Sequence, residues 1–199
     1  MKLLLFSDVH CSMEHCRELV RKSLSVDLVI GAGDLGLVRE GLRETIEALR
    51  EIQKPTILVP GNSESREELE EACQDWESAT VLHGSGIELL GTKCYGVGGG
   101  IPVTPFGDWS YDFTEQEATR MLAECPREGI LITHSPPKGA VDISSGGQRF
   151  GSQAIREAIL EKNPLLCVCG HIHESAGNHA KIGNTTVVNA GPNGMLWEI

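Results

Sequence analysis

The sequence has no long hydrophobic run and few basic residues, and each absence excludes a class of function. No apolar stretch approaches the ~20 residues that a transmembrane helix requires. The opening MKLLLFSDVH meets Asp8 too early for a secretory signal. Only 17 Lys and Arg oppose 28 Asp and Glu, a formal net charge of -11. This balance offers no extended surface to a nucleic-acid backbone or an anionic membrane. We therefore expect a cytoplasmic protein, and its oligomeric state stays open.

The seven cysteines do not form a framework for disulfides or metal. Their number is odd and their spacing is scattered, which indicates reduced thiols that pack as small apolar side chains. Cys167 and Cys169 form a C-x-C pair, a spacing that also occurs in metal motifs. Within a strand, alternate residues share one face of the sheet, so we interpret this pair as apolar packing in a buried strand.

Hydrophobic patterning alternates between strands and helices along the 199 residues. Strands are predicted at KLLLF, DLVIGAG, PTILVPG, GILITH, LLCVCG, TTVVNAG and MLWEI, with a glycine-rich β region from Thr80 to Gly100. Helices are predicted over 12–24, 38–53, 63–77, 114–124 and 152–162, the first with Ser12 as its N-cap. The early βαβα order predicts a parallel sheet, and the β-rich second half predicts a second sheet packed on the first. We therefore predict one α/β sandwich domain over residues 1–199.

Polar side chains that suit metal ligation follow five predicted strands, at the point where each strand ends. They are Asp8 with His10, Asp34, Asn62, His134, and His171 with His173. Because the carboxyl ends of parallel strands form the binding crevice of an open α/β sheet, we expect these side chains at one rim. Mixed nitrogen and oxygen donors favour Mn²⁺, Fe or Zn²⁺ over Ca²⁺ or an iron–sulfur cluster. The histidines His15, His83 and His179 lack this setting, and we interpret His15 as part of a helix surface.

Seven ligands are too many for one tetrahedral ion and suit a pair of ions. Two ions roughly 3.5–4 Å apart can share a carboxylate and a hydroxide, the arrangement used for in-line displacement at phosphorus. The positive charge of two divalent ions exceeds the negative charge of two aspartates and a hydroxide. The site is therefore locally positive and can bind a phosphate anion on an acidic protein. We expect two divalent cations, Mn²⁺ first and Fe, Zn²⁺ or Ni²⁺ as alternatives. The partner is expected to be a small phosphate ester.

The order of these residues resembles the calcineurin-like metallophosphoesterase superfamily, whose signature runs D-x-H, G-D, G-N-x-[ED], H and G-H-x-H. Here the signature reads DVH, GD, GNSE, HSPP and GHIH across nearly the whole chain. The resemblance implies a four-layer αββα sandwich of two mixed β-sheets flanked by helices. It also implies two metal sites that share Asp34. One consists of Asp8, His10, Asp34 and His173, and the other of Asp34, Asn62, His134 and His171.

The resemblance further implies that a metal-bridging hydroxide attacks phosphorus in line with the leaving oxygen. Asp34, Asn62 and His134 are then the catalytic residues, and Asn62 also touches the substrate. Arg149, in a loop after His134, is predicted either to reach a phosphate or to be a surface charge.

The chain departs from the family pattern at the third and second motifs. Many members carry a histidine in the third motif that is thought to protonate the leaving group, but this chain has Ser63, and Glu64 no longer has that histidine to orient. A serine hydroxyl is a poor general acid. Either His83 or a metal-bound water supplies the proton, or only esters with good leaving groups react well. Leu37 stands where protein Ser/Thr phosphatases and dinucleoside-tetraphosphate hydrolases carry a phosphate-binding arginine, so the compact phosphodiesterase-like members are the better match.

The loop GGIPVTPFGDWSYDF carries four aromatic residues, Phe106, Trp109, Tyr111 and Phe113. They form either a wall for a nucleoside base or another apolar ester group, or an anchor that pins the loop to the domain.

Three classes of function follow. The first is a dinuclear metal-dependent phosphodiesterase, which the complete set of ligands favours. The second is a non-catalytic metal-binding scaffold with the same fold that binds a protein partner. The retromer scaffold subunit, which is similar to this superfamily, also lacks the leaving-group histidine. The third is a mononuclear zinc hydrolase that uses only some of these ligands.

Overall fold

A computed structural model describes residues 1–199. In it, short apolar runs form the strands, and amphipathic segments with capping residues form the helices. The strands are β1 (Lys2–Phe6), β2 (Leu28–Gly31), β3 (Thr56–Leu58), β4 (Ala79–Val81), β5 (Ser85–Leu89), β6 (Thr92–Val97), β7 (Ile130–Thr133), β8 (Leu166–Cys169), β9 (His179–Ile182), β10 (Thr185–Asn189) and β11 (Met195–Glu198). The helices are α1 (Met13–Ser23), α2 (Leu42–Leu49), α3 (Arg66–Ala72), α4 (Glu115–Leu122) and α5 (Gln153–Lys162), with a 3₁₀ turn at His173–Ser175. None of these helices combines the length and the apolar character needed to span a lipid bilayer.

The strands form two mixed sheets. The first has the order β11-β1-β2-β3-β4 and the second the order β5-β6-β7-β8-β10-β9. Both are parallel in the centre and antiparallel where β11, β5 and β9 pair at the edges. The predicted second sheet is therefore correct for the middle of the chain and wrong for MLWEI. That strand returns to the first sheet and pairs with β1, Lys2 opposite Glu198 and Leu5 opposite Met195. Patterning identifies a strand but not the edge that it covers.

Alternation along β1 explains the layers. Leu3 and Leu5 face the second sheet and pack with residues of β7 and β8 such as Ile132. Leu4 and Phe6 point the other way and pack against α1, α2 and α3. A third apolar layer separates the second sheet from α4 and α5. The four-layer α-β-β-α arrangement predicted above is thereby confirmed.

The cysteines are free thiols, and six of the seven are buried. Cys167 and Cys169 lie on the same face of β8, in the apolar layer under α4 and α5. The interpretation of the C-x-C pair as core packing is therefore confirmed.

Two helices begin later than predicted. The segment 38–53 becomes helical only at Leu42, because Val38 and Arg39 have φ of 51° and 67° and Gly41 is left-handed. The segment 63–77 becomes helical at Arg66, where the Ser65 hydroxyl accepts the Glu68 N–H in a capping box. In both cases the residues before the helix belong to loops that reach the strand ends, so the helical periodicity predicted there was wrong.

Candidate metal centre

The seven predicted ligands converge at the carboxyl ends of strands from both sheets. Within four residues of the ends of β1, β2, β3, β7 and β8 come, in this order, Asp8 with His10, Asp34, Asn62, His134, and His171 with His173. His171 comes two residues after Cys169, the last residue of β8, whereas His173 begins the 3₁₀ turn. The two histidines therefore leave one strand end in different directions.

Four of the eleven non-glycine residues with positive φ are among these ligands. Asp8, His10, Asp34 and His171 have φ of 54°, 45°, 55° and 67°. Few non-glycine residues adopt this left-handed conformation. Such a residue costs on the order of 1–3 kcal/mol and persists only where its surroundings fix it. Strain at four ligand positions indicates a site that the fold holds in place for function.

The first donor cluster consists of Asp8, His10 and His173, whose ligand atoms all lie within 4.8 Å of one another. The Nε2 atoms of His10 and His173 lie 3.1 Å apart. The Oδ1 atom of Asp8 lies 3.7 Å from His173 Nε2. Three donor atoms therefore surround one point, with His173 on the exposed side and Asp8 buried beneath it.

The second donor cluster surrounds His134, which is fully buried. Its Nε2 atom lies 3.1 Å from Asn62 Oδ1, 3.2 Å from His171 Nδ1 and 3.4 Å from Asp34 Oδ1. Its Nδ1 atom lies 2.8 Å from the carbonyl of Ala32, and a hydrogen bond there leaves the Nε2 lone pair facing the other donors.

Asp34 lies between the two clusters. Its Oδ1 atom faces His134 Nε2 at 3.4 Å, and its Oδ2 atom faces His10 Nε2 at 3.6 Å. The N–H of Ser63 donates to Oδ1 at 2.9 Å and fixes the orientation of the carboxylate. One carboxylate therefore reaches both groups of imidazoles.

The charge state of these groups matches what a metal ion requires. Burial raises the pKa of Asp8, but hydrogen bonds from His173 and Ser7 and the charge of His134 outweigh it and lower the pKa to about 2. Burial, together with the charge of His134, lowers the pKa of His171 to about 4. At neutral pH the site therefore contains an ionised carboxylate and a neutral imidazole, the forms that bind metals.

The donor set fits a divalent cation. Burial lowers the pKa of His134, yet the carboxylates of Asp34 and Asp8 raise it above its ordinary value. Around Nε2 the neighbours are a carboxylate, an amide oxygen and a second imidazole, so the site attracts a positive charge at that point. Nitrogen and oxygen donors of this kind suit a borderline divalent ion.

Glu64 has a role that the sequence left open. Its buried carboxylate accepts the N–H groups of Leu35 at 3.2 Å, Gly36 at 3.0 Å and Gly61 at 2.8 Å. It therefore ties the loop of Asp34 to the loop of Asn62. Burial and the negative charge of Asp34 raise the pKa of Glu64 to about 7. Its position in the GNSE motif was the signal that could have assigned it.

Asn189 is a buried polar residue beside the site that sequence reasoning missed. Its side chain is fully buried, and Nδ2 donates to the carbonyls of Gly170 and Ile172, both at 3.0 Å. These carbonyls flank His171, so the amide holds that ligand in its strained conformation. The signal was available, because Asn189 is a polar residue at the end of an apolar strand, like the predicted ligands.

A cavity of about 430 Å³ opens above the two clusters. Five of the ligands reach it, and its walls are apolar. Of the aromatic loop, Phe106 and Trp109 line this cavity. Tyr111 and Phe113 instead pack on His83, with ring centroids 5.7 and 5.0 Å away. The loop thus provides a wall with one half and an anchor with the other.

The remaining candidates lie apart from the cavity. His83 does not line it, and its Nδ1 accepts the N–H of Gly98. Burial and the charge of Arg66 lower its pKa. Arg149 also does not line the cavity and forms a 2.5 Å ion pair with the buried Asp142. His15 lies on α1, as predicted, and is half-buried, with its Nδ1 enclosed without a hydrogen-bond partner.

Fold and donor set together define the class, an α/β protein whose strand ends present a cluster of metal-ligand residues. A match to the calcineurin-like phosphoesterase superfamily domain extends over residues 1–198. The chain therefore belongs to the calcineurin-like phosphoesterase superfamily. The resemblance drawn from the motifs is confirmed, and membership indicates a metal-dependent phosphoesterase.

Relatives of known sequence or structure support this assignment. A protein of Methanocaldococcus jannaschii is 32% identical over 177 residues, which cover 83% of this chain and 78% of that protein. Human metallophosphoesterase domain-containing protein 1 is 33% identical over 138 residues, which cover 67% of this chain and 39% of the human protein. The crystal structure of TT1561 from Thermus thermophilus superposes with a TM-score of 0.78 at 21% identity, covering 96% of this chain and 90% of that one. This last likeness shows a shared fold.

Proposed function

We propose that this protein is a dinuclear metal-dependent phosphodiesterase. The observation that carries the proposal is the position of Asp34, whose two carboxylate oxygens face His134 and His10, one in each donor cluster. A carboxylate shared in this way holds two ions close enough to act on one phosphoryl group. Membership of the superfamily supports the same chemistry.

The chain would hold two ions, Mn²⁺ in our proposal, with Asp34 between them. Asp8, His10, Asp34 and His173 would hold one ion, and Asp34, Asn62, His134 and His171 the other. When bound, the ions supply a nucleophile from water and neutralise the phosphoryl oxygens. The surrounding residues set the geometry, because Glu64 joins two ligand loops and Asn189 fixes His171.

The lining of the cavity favours a diester over a monoester. It contains no Lys or Arg, and Glu174 contributes an acidic group at the rim. A phosphodiester has one negative charge, which the ions balance, whereas a monoester has close to two at neutral pH. Without a cationic side chain, the second charge lacks a partner.

Proton donation to the leaving group is the weak step. Ser63 lines the cavity and His83 does not. The histidines that do reach the cavity, His10, His171 and His173, are all proposed ligands. We therefore expect efficient turnover only of esters whose leaving group needs little protonation.

Hydrolysis by the Mn²⁺-loaded protein tests the proposal, with bis-p-nitrophenyl phosphate compared against p-nitrophenyl phosphate. We expect faster turnover of the diester and loss of this activity in Asp34→Asn. Asp75→Asn, which removes the same charge from an exposed position, serves as the matched control and should retain activity. If neither wild type nor Asp34→Asn hydrolyses either ester with Mn²⁺, Ni²⁺ or Zn²⁺, the proposal that the protein is an enzyme is refuted.

A non-catalytic scaffold is the second candidate, and one observation favours it. Leu37, Val38 and Val103 are about half exposed at the mouth of the cavity, at 50%, 47% and 57%. Exposed apolar side chains that cluster can mark a protein interface. In that case the metal centre stabilises the docking surface, and the inert outcome above would direct the search to a partner.

A further inference from the structure

Exposed apolar side chains are concentrated around the metal cavity. Five of the twelve large hydrophobic residues exposed on the chain line it, namely Leu37, Val38, Val103, Phe106 and Phe150. Pro102, Pro105 and Trp109 extend the same wall. Scattered surface hydrophobics need no explanation, but a group that surrounds one cavity indicates a binding site.

One side of this wall is fixed to the metal ligands. The carboxylate of Asp112 accepts from the Thr104 N–H at 2.7 Å and from the Ser110 hydroxyl at 2.8 Å, which closes the loop that carries Phe106. The N–H of Tyr111 donates to the carbonyl of Asn62 at 2.9 Å, so the loop is tied to a ligand residue. The wall is therefore organised before any ligand enters.

Within this loop, Phe106 and Trp109 stack nearly parallel, with centroids 5.7 Å apart and planes at 10°. The ring of Phe106 lies 6.5 Å from the ring of His171. An apolar surface therefore begins one side chain away from the metal ligands. If a phosphoryl group lies at these ligands, a substituent esterified to its phosphorus can reach this surface.

A second segment of the wall, which carries Phe150, is held by Asp142, which is fully buried. Its carbonyl accepts the N–H of Phe150 at 3.0 Å, and its carboxylate accepts the N–H of Gly139 at 2.8 Å and pairs with Arg149. Arg149 is thereby directed to Asp142, and Phe150 faces the cavity.

The charge of the lining restricts the ligand further. The lining has no Lys or Arg and includes the exposed carboxylate of Glu174. A chain of phosphates would place negative groups beyond the reach of the ions, against apolar and acidic neighbours. Such groups would be buried without partners, which is unfavourable.

We infer that the cavity binds small phosphodiesters with a single phosphoryl group and one apolar ester substituent, a short alkyl or aryl group that packs on Phe106 and Trp109. The inference rests on the proposed function for the position of the phosphoryl group. It excludes nucleoside polyphosphates as substrates.

Two esters with the same leaving group test this inference, methyl p-nitrophenyl phosphate and hexyl p-nitrophenyl phosphate. They have the same charge and differ only in apolar length. At about fourfold per buried methylene, burial of half of the hexyl chain raises kcat/KM by roughly tenfold or more. Phe106→Ala should reduce the ratio of the two kcat/KM values. Leu160→Ala removes a side chain that is 56% exposed on α5, away from the cavity, and should keep the wild-type ratio.

Binding of methylphosphonate and hexylphosphonate, measured by calorimetry, separates this inference from the proposed function. Tighter binding of hexylphosphonate that weakens in Phe106→Ala supports the ligand class even if no ester turns over, and the lack of turnover then counts against the hydrolase alone. Equal kcat/KM for the two esters, or equal affinity for the two phosphonates, overturns the ligand class. Faster hydrolysis of ATP than of the hexyl ester overturns it as well.

Discussion

Removal of the Asn189 amide should weaken the fold slightly and the metal centre strongly. Its Nδ2 donates to the carbonyls of Gly170 and Ile172 on either side of His171, which has φ of 67°. Each carbonyl retains a second donor, the N–H of Ile172 at 2.8 Å and the N–H of Ser175 at 2.9 Å. The loss in Asn189→Ala is therefore the ordinary net value of two hydrogen bonds, about 1–3 kcal/mol in total.

At roughly 2–4 °C per kcal/mol for a domain of this size, that loss lowers Tm by about 2–12 °C. His171 is then free to leave its strained conformation. We expect the affinity for Mn²⁺ to fall by about 10–100-fold, as it does when a group that orients a metal ligand is lost. Asn189→Asp should be worse than Asn189→Ala, because it directs a buried carboxylate oxygen at two carbonyl oxygens.

Thermal unfolding of the metal-free protein by circular dichroism and calorimetric titration with Mn²⁺ measure the two effects. Asn178→Ala removes the same amide from an exposed position and should stay within about 0.5 kcal/mol of wild type. If Asn189→Ala keeps both the wild-type Tm and the wild-type affinity, Asn189 does not position His171.

Further predictions concern the leaving group, the thiols and Arg149. Across aryl diesters, kcat should fall steeply as the pKa of the leaving phenol rises, since no histidine at the cavity is free to protonate it; a flat dependence would reveal a general acid. Ellman's reagent should label one thiol of the folded chain, the half-buried Cys11, and seven after denaturation. Burial raises the pKa of Cys16 to about 11 and that of Cys167 to about 12, so rapid labelling of a second thiol would contradict the buried core. Arg149→Met should destabilise the protein by about 1–3 kcal/mol, because the buried Asp142 loses its cationic partner. The loss is limited because the side chain of Arg149 is half-exposed and its charge is screened by solvent. A large rise in KM at unchanged Tm would instead indicate that Arg149 binds phosphate.

The ligand residues were predictable because their signal is local. Each follows a short apolar run, and a run that ends in Asp, Asn or His marks a strand end whatever the rest of the chain does. Asp8 follows β1 of the first sheet and His134 follows β7 of the second, and the packing of the two sheets brings their donor atoms within 4.8 Å of each other. Alternation along β8 likewise predicted that Cys167 and Cys169 share one face, whereas the four layers were implied by the resemblance to the superfamily.

The remaining features depend on contacts that are distant in sequence. Asn189 acts on carbonyls 17 and 19 residues away, a relation that no periodicity reports. The pairing of β11 with β1 joins the two ends of the chain. The late start of α2 follows from the positive φ of Val38 and Arg39. Neither valine nor arginine favours positive φ, so the sequence does not predict this conformation.

The count of bound ions and their coupling test the central claim most directly. Electron paramagnetic resonance of the protein titrated with Mn²⁺ reports both. We predict two Mn²⁺ per chain with exchange-coupled spectra in wild type, and loss of the coupling in Asp34→Asn. A wild-type protein that saturates with one uncoupled ion would contradict the dinuclear centre and favour a mononuclear hydrolase.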